Sequence, residues 1–232
     1  MHRQGDHMMV DISHLYYTYP DGSPALIDVT ITIENNCNVA LIGQNGSGKT
    51  TVLLNMLGVL KGKGKICILG ETDFKKIREN VGMVFQNPDD QLFMPTVFDD
   101  VAFGPLNISL DDVENRVQNA LHSVGLTGFE KRSSSHLSFG EKKRVAMATV
   151  LSMDPELLIL DEPTSSLDPG GRRELIKMLE ELALPKIIAT HDLKLAARIC
   201  DRVLLFHRGR IVLEGTPQEI LSHPKTLRTY GL

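Results

Sequence analysis

The octapeptide Gly43-Gln44-Asn45-Gly46-Ser47-Gly48-Lys49-Thr50 constrains this chain more than any other stretch. It follows the short apolar run Val39 to Ile42 and leads into Thr50 to Leu57, a helical pattern that stops at Gly58. Glycines at this spacing let backbone N–H groups turn inward around an anion, where a Cβ would obstruct. Lys49 then reaches the β- and γ-phosphates of a nucleotide, the Thr50 hydroxyl ligates Mg2+, and the helix beginning at Lys49 adds its dipole. A chance glycine turn would lack the strand before it and the helix after it. The expected nucleotide contacts are Gly43, Asn45, Gly46, Ser47, Gly48, Lys49, Thr50 and Thr51.

Such a phosphate-binding loop (P-loop) calls for a partner, an apolar strand that ends in aspartate. Leu157-Leu158-Ile159-Leu160-Asp161 supplies it, with Glu162 directly behind. Adjacent carboxylates at a strand end point in different directions and can divide the work. Asp161 serves the metal, and Glu162 polarises an attacking water. Taken alone, an acidic pair here serves equally well as a cap for the next helix; beside a P-loop the catalytic reading is the better one.

The remaining pattern places these motifs in an α/β fold. Val10 to Glu34 alternates apolar and polar residues around a Pro-Asp-Gly-Ser-Pro turn, as antiparallel strands do. Further short strands are expected at 65–69, 81–85, 157–160, 186–190 and 202–206, the last pairing with 210–214 across Arg208-Gly209. From Asn87 to about Met153 the texture turns helical, with turns expected at Pro95, Pro105, Gly125 and Gly128. The expected fold is therefore a mainly parallel sheet with an antiparallel β part and a helical insertion. In domain terms this is one unit over 1–232, with a core at 8–86 and 154–232 and the insertion at 87–153. From Thr216 a short capped helix and then a loop are expected, and Met1 to Met9 reads as a flexible lead-in without function.

Composition narrows the classes. A formal net charge of −4 argues against a general nucleic-acid binder, and 42% apolar with 23% charged residues gives no case for disorder. Cys37, Cys67 and Cys200 are widely spaced without a CxxC pair, which reads as reduced core residues and not as a disulfide frame or zinc site. No apolar run approaches the ~20 residues of a bilayer span, and no secretory h-region opens the chain.

A second anion-ready feature lies at Leu137-Ser138-Phe139-Gly140-Glu141-Lys142-Lys143-Arg144-Val145. Ser138 and Glu141 form a capping-box pattern at the start of a helix with a basic first turn.

Taken together, GQNGSGKT, Gln86, LSFGE, LLILDEPTSSLD and His191 resemble the ATPase subunit of an ABC transporter over essentially the whole chain from Val10. Within that family, NPDDQLF and FGPLN are similar to the cobalt-type and energy-coupling-factor (ECF) ATPases, which power vitamin and metal-ion uptake. The resemblance implies ATP and Mg2+ as cofactors, with Lys49, Gln86, Glu162 and His191 catalytic and Thr50, Gln86 and Asp161 toward the metal. It implies Tyr19 as the ring that stacks on adenine, with Tyr16 and Tyr17 as competitors and strand packing the alternative for all three. It implies a second ATPase subunit, identical or related, whose ATP is capped in trans by Ser138, Gly140 and Asp168. The remaining implied partners are a membrane coupling subunit and a substrate-binding membrane subunit, placing the chain peripherally on the cytoplasmic face of the membrane, with no nucleic acid. The expected partner surface is Gln91 to Phe93 with the nearby Phe98 to Phe103, although Leu92, Phe93 and Phe98 serve equally well as core of the insertion. A soluble ABC ATPase of the iron–sulfur assembly type is the competing function. Two departures from the LSGGQ form matter: Phe139 in place of glycine, and Glu141 in place of glutamine. The second puts a carboxylate near a triphosphate, where it would repel; either it turns back to the Ser138 N–H in the capping box, or it faces ATP and the two-subunit sandwich is weak.

Overall fold

A computed structural model describes residues 8–231. In chain order the elements are β1 (Met8–Thr18), β2 (Pro24–Glu34), β3 (Val39–Ile42), α1 (Lys49–Met56), β4 (Lys63–Ile68), α2 (Phe74–Asn80) and β5 (Val81–Val84). Then follow α3 (Val97–Asn107), α4 (Val113–Ser123), α5 (Phe139–Leu151), β6 (Leu157–Asp161), α6 (Pro169–Glu181), β7 (Lys186–Thr190) and α7 (Leu193–Ile199). The chain closes with β8 (Arg202–His207), β9 (Arg210–Gly215), α8 (Pro217–Leu221) and α9 (Pro224–Thr229). The chain forms two compact units: residues up to Arg78 together with those from Leu184 onward, and Glu79–Ala183. The helical insertion expected at 87–153 falls inside the second.

The first unit holds an antiparallel sheet in the order β2-β1-β4. Its core side carries Val10, Ile12 and Leu15 from β1 and Leu26, Val29, Ile31 and Ile33 from β2, all buried. A strict period of two would bury His14 and Asp28 instead. Each adopts a positive φ (52° and 56°) where the β1–β2 register shifts, and the extra residue moves the apolar set back to the core face. The displaced side chains pair outside, His14 Nδ1 to Asp28 Oδ1 at 2.7 Å. The same unit holds β7, β3 and β8 in parallel, with β9 antiparallel on β8. Every residue of β3 and β7 is buried, as both faces of a parallel strand require.

In the second unit β5 and β6 run parallel, Val81 opposite Leu157. Helices α3, α4 and α5 pack on one another and α5 packs on β5. Pro105 lies inside α3 and not at the turn expected from the sequence. The N–H it lacks would have bonded the Val101 carbonyl; the buried Ser152 hydroxyl donates there instead, at 2.8 Å.

Two other expectations change. Met8 and Met9 belong to β1 and Met9 is buried, so the lead-in is shorter than expected; its first seven residues lie outside the described ones. Beyond α8, where a loop was expected, α9 forms with Leu227 buried. The three cysteines are free thiols, and burial pushes the Cys200 thiol up to about 12. No described helix is long and apolar enough to cross a membrane.

Candidate functional site

In the first unit the P-loop leaves the buried end of β3 and enters α1 without a side-chain cap: Gly48 occupies the N-cap with φ 109°. A Cβ there would stand 2.8 Å from the Ala25 carbonyl, so only glycine fits both the angle and the space. Gly46, at φ 76°, has nothing within 4 Å of its Cβ direction and borders open space. Between them the Ser47 hydroxyl is buried with no hydrogen-bond partner among the described residues. Lys49 is buried, and its Nζ donates to the Gly43 and Gln44 carbonyls at 2.7 and 3.1 Å. A cradle with an orphaned hydroxyl and a cation folded over its rim has the chemistry to receive a polyphosphate.

The sequence reading missed one support of this loop. The Gly209 N–H donates to the Ser47 carbonyl at 2.9 Å, and the Ile27 N–H donates to the Gly209 carbonyl at 2.8 Å. The only signal was Arg208-Gly209, read as a hairpin turn. Of the three expected tyrosines, Tyr19 reaches α1, its hydroxyl 2.9 Å from Thr51 Oγ1. Tyr17 meets Tyr19 edge to face at 5.1 Å, and Tyr16 is exposed. Asn45 is exposed on the loop and Thr50 in the first turn of α1. His191 is exposed just past β7; Thr190 stands opposite Ile42, so His191 and Gly43 leave the same end of neighbouring strands.

The second unit gathers the other expected residues. Val84 stands opposite Leu160, so Phe85-Gln86 and Asp161-Glu162 emerge from the same end of β5 and β6. Gln86 is exposed, while Asp161 and Glu162 are buried. Glu162 has φ 44°, a left-handed backbone for a residue with a Cβ. Its carbonyl accepts from Ser165 N–H at 3.1 Å, Ser165 Oγ at 2.8 Å and Lys143 Nζ at 3.0 Å. Burial depresses the Lys143 ammonium to about 8 against the opposing pull of the Glu162 and Asp161 charges. Gln91, expected from the sequence as part of the partner surface, instead turns inward: it accepts from the Phe85 N–H at 3.2 Å and donates to the Ala146 carbonyl and Thr149 Oγ1 at 2.9 and 2.8 Å. It fastens the segment after Gln86 to α5.

Ser138 caps α5 with both halves of the box present. The Ser138 N–H and hydroxyl each donate to the Glu141 carboxylate at 2.7 Å, and the Glu141 N–H donates back to Ser138 Oγ at 3.3 Å. Those bonds hold the Glu141 carboxyl below its ordinary value. The carboxylate has turned back onto Ser138, the first of the two orientations the sequence left open. Gly140 follows at the second helical position. Asp168 caps α6, its carboxylate accepting from the Gly171 N–H at 2.8 Å. Leu92 is core, whereas Phe93 and Phe103 are exposed and meet edge to face at 5.0 Å, with Leu106 also 63% exposed.

With this geometry in view, comparison with known proteins decides the family. Residues 26–165 match the family model described as ABC transporter. The chain belongs to the ABC transporter ATPase family. The "Energy-coupling factor transporter ATP-binding protein EcfA2" of Methanospirillum hungatei is 47% identical over 95% of this chain, which spans 58% of that relative's length. Among solved structures, cbiO1 from Clostridium perfringens, described as part of the ABC transporter complex cbiONQ, superposes with a TM-score of 0.83. It is 40% identical over 96% of this chain and 94% of its own. The ATP-binding cassette MJ0796, solved as a dimer in a post-hydrolysis state with ADP and Pi, gives 0.81 at 26% identity over 90% of this chain and 99% of its own.

As an ABC ATPase the chain binds ATP. Taken singly, the hydroxyl of Thr50 in the first unit and the amide oxygen of Gln86 and carboxylate of Asp161 in the second are oxygen donors, the type that would suit a hard cation such as Mg2+. Among the described residues no cluster of three or more His, Cys, Asp or Glu side chains could cage a metal. A cation held mainly by substrate phosphates and water would need no such cage.

Proposed function

We propose that this ABC ATPase hydrolyses ATP to energise a membrane importer of the ECF or cobalt type, carrying a vitamin or a metal ion. What supports the reading is near-complete coverage of this chain by relatives named for ECF and cbiONQ transport, which favours it over a soluble iron–sulfur assembly role. The chain works on the cytoplasmic face of the membrane with a coupling subunit and a substrate-binding subunit. The exposed pair Phe93–Phe103 is the contact we assign to the membrane partner. The functional division is a core of 8–86 and 154–232 and a signature-bearing insertion of 87–153.

In this reading Tyr19 stacks on adenine. Lys49 and the amides from Gly43 to Thr51 neutralise the phosphates, and Thr50, Gln86 and Asp161 hold Mg2+. When bound, Mg2+ offsets the charge that develops between the β- and γ-phosphates. Glu162 orients the water and takes its proton, while His191 and Gln86 sense the γ-phosphate. Ser138, Gly140 and Asp168 act in trans on the ATP of a second ATPase subunit. The dimeric state of MJ0796 supports that arrangement. ATP then draws the two subunits together, and hydrolysis releases them.

The test is extraction of the tagged chain from its own cells in mild detergent. It should leave the membrane fraction in a complex with polytopic subunits that hydrolyses MgATP. Recovery only in the soluble fraction, without a membrane partner, contradicts the reading.

A further inference from the structure

The proposed reaction leaves one buried cation of the second unit without a task. Lys143 lies on α5 one turn beyond Phe139, is 2% exposed, and carries the Phe139 ring 5.5 Å from its Nζ. A lysine is rarely buried without a partner, because removing an ammonium from water is costly. The partners here are specific: the Glu162 carbonyl at 3.0 Å and Ser165 Oγ at 3.2 Å. Ser165 in turn donates its hydroxyl and its N–H to the same carbonyl. Three donors therefore converge on one oxygen, and it belongs to the residue held at φ 44°. A non-glycine backbone in that region persists only where its surroundings fix it.

We propose that Lys143 is a positioning residue for Glu162: its Nζ–H···O=C bond from the signature helix holds the Glu162 peptide in the left-handed conformation and so sets the direction of the carboxylate. The proposal rests on the reading of Glu162 as the general base. Rotating the peptide about that φ swings the side chain, and misplacement by about 1 Å can cost on the order of a hundredfold in rate. The bond joins the helix that begins at Ser138 to the residue proposed to activate water, so α5 cannot shift without the Glu162 backbone registering it. It also gives Phe139 a use in this chain, as apolar cover over the lysine stem. The bond needs an N–H donor and not a charge, since a neutral amine or an amide also donates.

Steady-state hydrolysis of MgATP by the full chain, with thermal unfolding on the same samples, tests this. Lys143→Met removes the donor and keeps an apolar stem; Lys143→Gln keeps an N–H donor without charge. The expected result is a loss of about tenfold or more in kcat for the methionine variant, with KM within about twofold and partial recovery in the glutamine variant. Wild-type kcat in Lys143→Met overturns the proposal, and so do equal losses in both variants, or a kcat loss that tracks lost thermal stability. If the methionine variant does not fold, Ser165→Ala decides, since it removes a second donor to the same carbonyl. A lower kcat at unchanged KM supports the proposal, and wild-type kcat overturns it. Glu162→Gln runs beside them. Continued hydrolysis by that variant defeats the general-base reading itself, whereas its loss together with an active Lys143→Met defeats only the role of Lys143.

Discussion

Two helices of this molecule begin at anion-ready N-termini, and they begin differently. Helix α1 opens on Gly48 with a left-handed backbone and no side-chain cap, while α5 opens on Ser138 with a reciprocal capping box. At α1 the Ser47 hydroxyl is orphaned, and the buried Lys49 ammonium rests on the Gly43 and Gln44 carbonyls of the loop itself. At α5 the helix has already met part of its own demand, and Glu141 places a carboxylate in the first turn. The first design suits a highly charged ligand. In the function we propose, the second offers one face to a phosphate whose charge is already neutralised elsewhere. The same helix physics thus serves an owner at α1 and, in the function we propose, a neighbour's ATP at α5.

Substitutions at the two ends should separate these designs. The largest effect is expected at α1: Lys49→Ala should lower MgATP hydrolysis by about 10³-fold, roughly 4 kcal/mol of barrier, and weaken nucleotide binding in a fluorescence titration. Next, Gly48→Ala meets both the φ of 109° and the Ala25 carbonyl 2.8 Å away. It should cost about 1–3 kcal/mol of stability in denaturant unfolding and disable ATP binding. Its counterpart Gly140→Ala meets nothing nearer than Leu167 Cδ2 at 3.7 Å. That variant should unfold like the wild type and bind ATP as a single subunit, with its defect confined to ATP-dependent association measured by light scattering. Equal behaviour of the two glycine variants would erase the distinction.

The smallest effect is at the cap. Ser138→Ala should cost about 1 kcal/mol in thermal unfolding. Its pH dependence follows from Glu141, whose carboxyl is held below the ordinary 4.5 by the Ser138 hydroxyl and amide. The folded chain keeps that carboxylate charged to lower pH than the unfolded chain does. The stabilisation is therefore complete above 4.5 and fades as pH falls through the folded value. The gap between wild type and Ser138→Ala should narrow over the same range.

The α1 end was almost fully legible in the sequence, because each position there answers a local demand: φ at Gly48, a cation at Lys49, an apolar strand before them. The capping box was legible for the same reason, since Ser138 and Glu141 answer each other within one turn. What escaped depends on distant partners. The bulges at His14 and Asp28 are set by the pairing of β1 with β2, and neither residue marks one locally. Pro105 reads as a helix breaker until Ser152 is seen to supply the missing donor. Lys143 reads as one of a basic run, and only the fold brings it to the Glu162 carbonyl nineteen positions along. Gly209 reads as a hairpin turn while it also braces Ser47.

The central claim is that ATP held at the α1 end is hydrolysed through Glu162. The most direct measurement is nucleotide affinity and turnover of Glu162→Gln in the assembled transporter. MgATP binding should stay close to wild type, with hydrolysis down by about 10³-fold or more. Near-normal hydrolysis by that variant would contradict it.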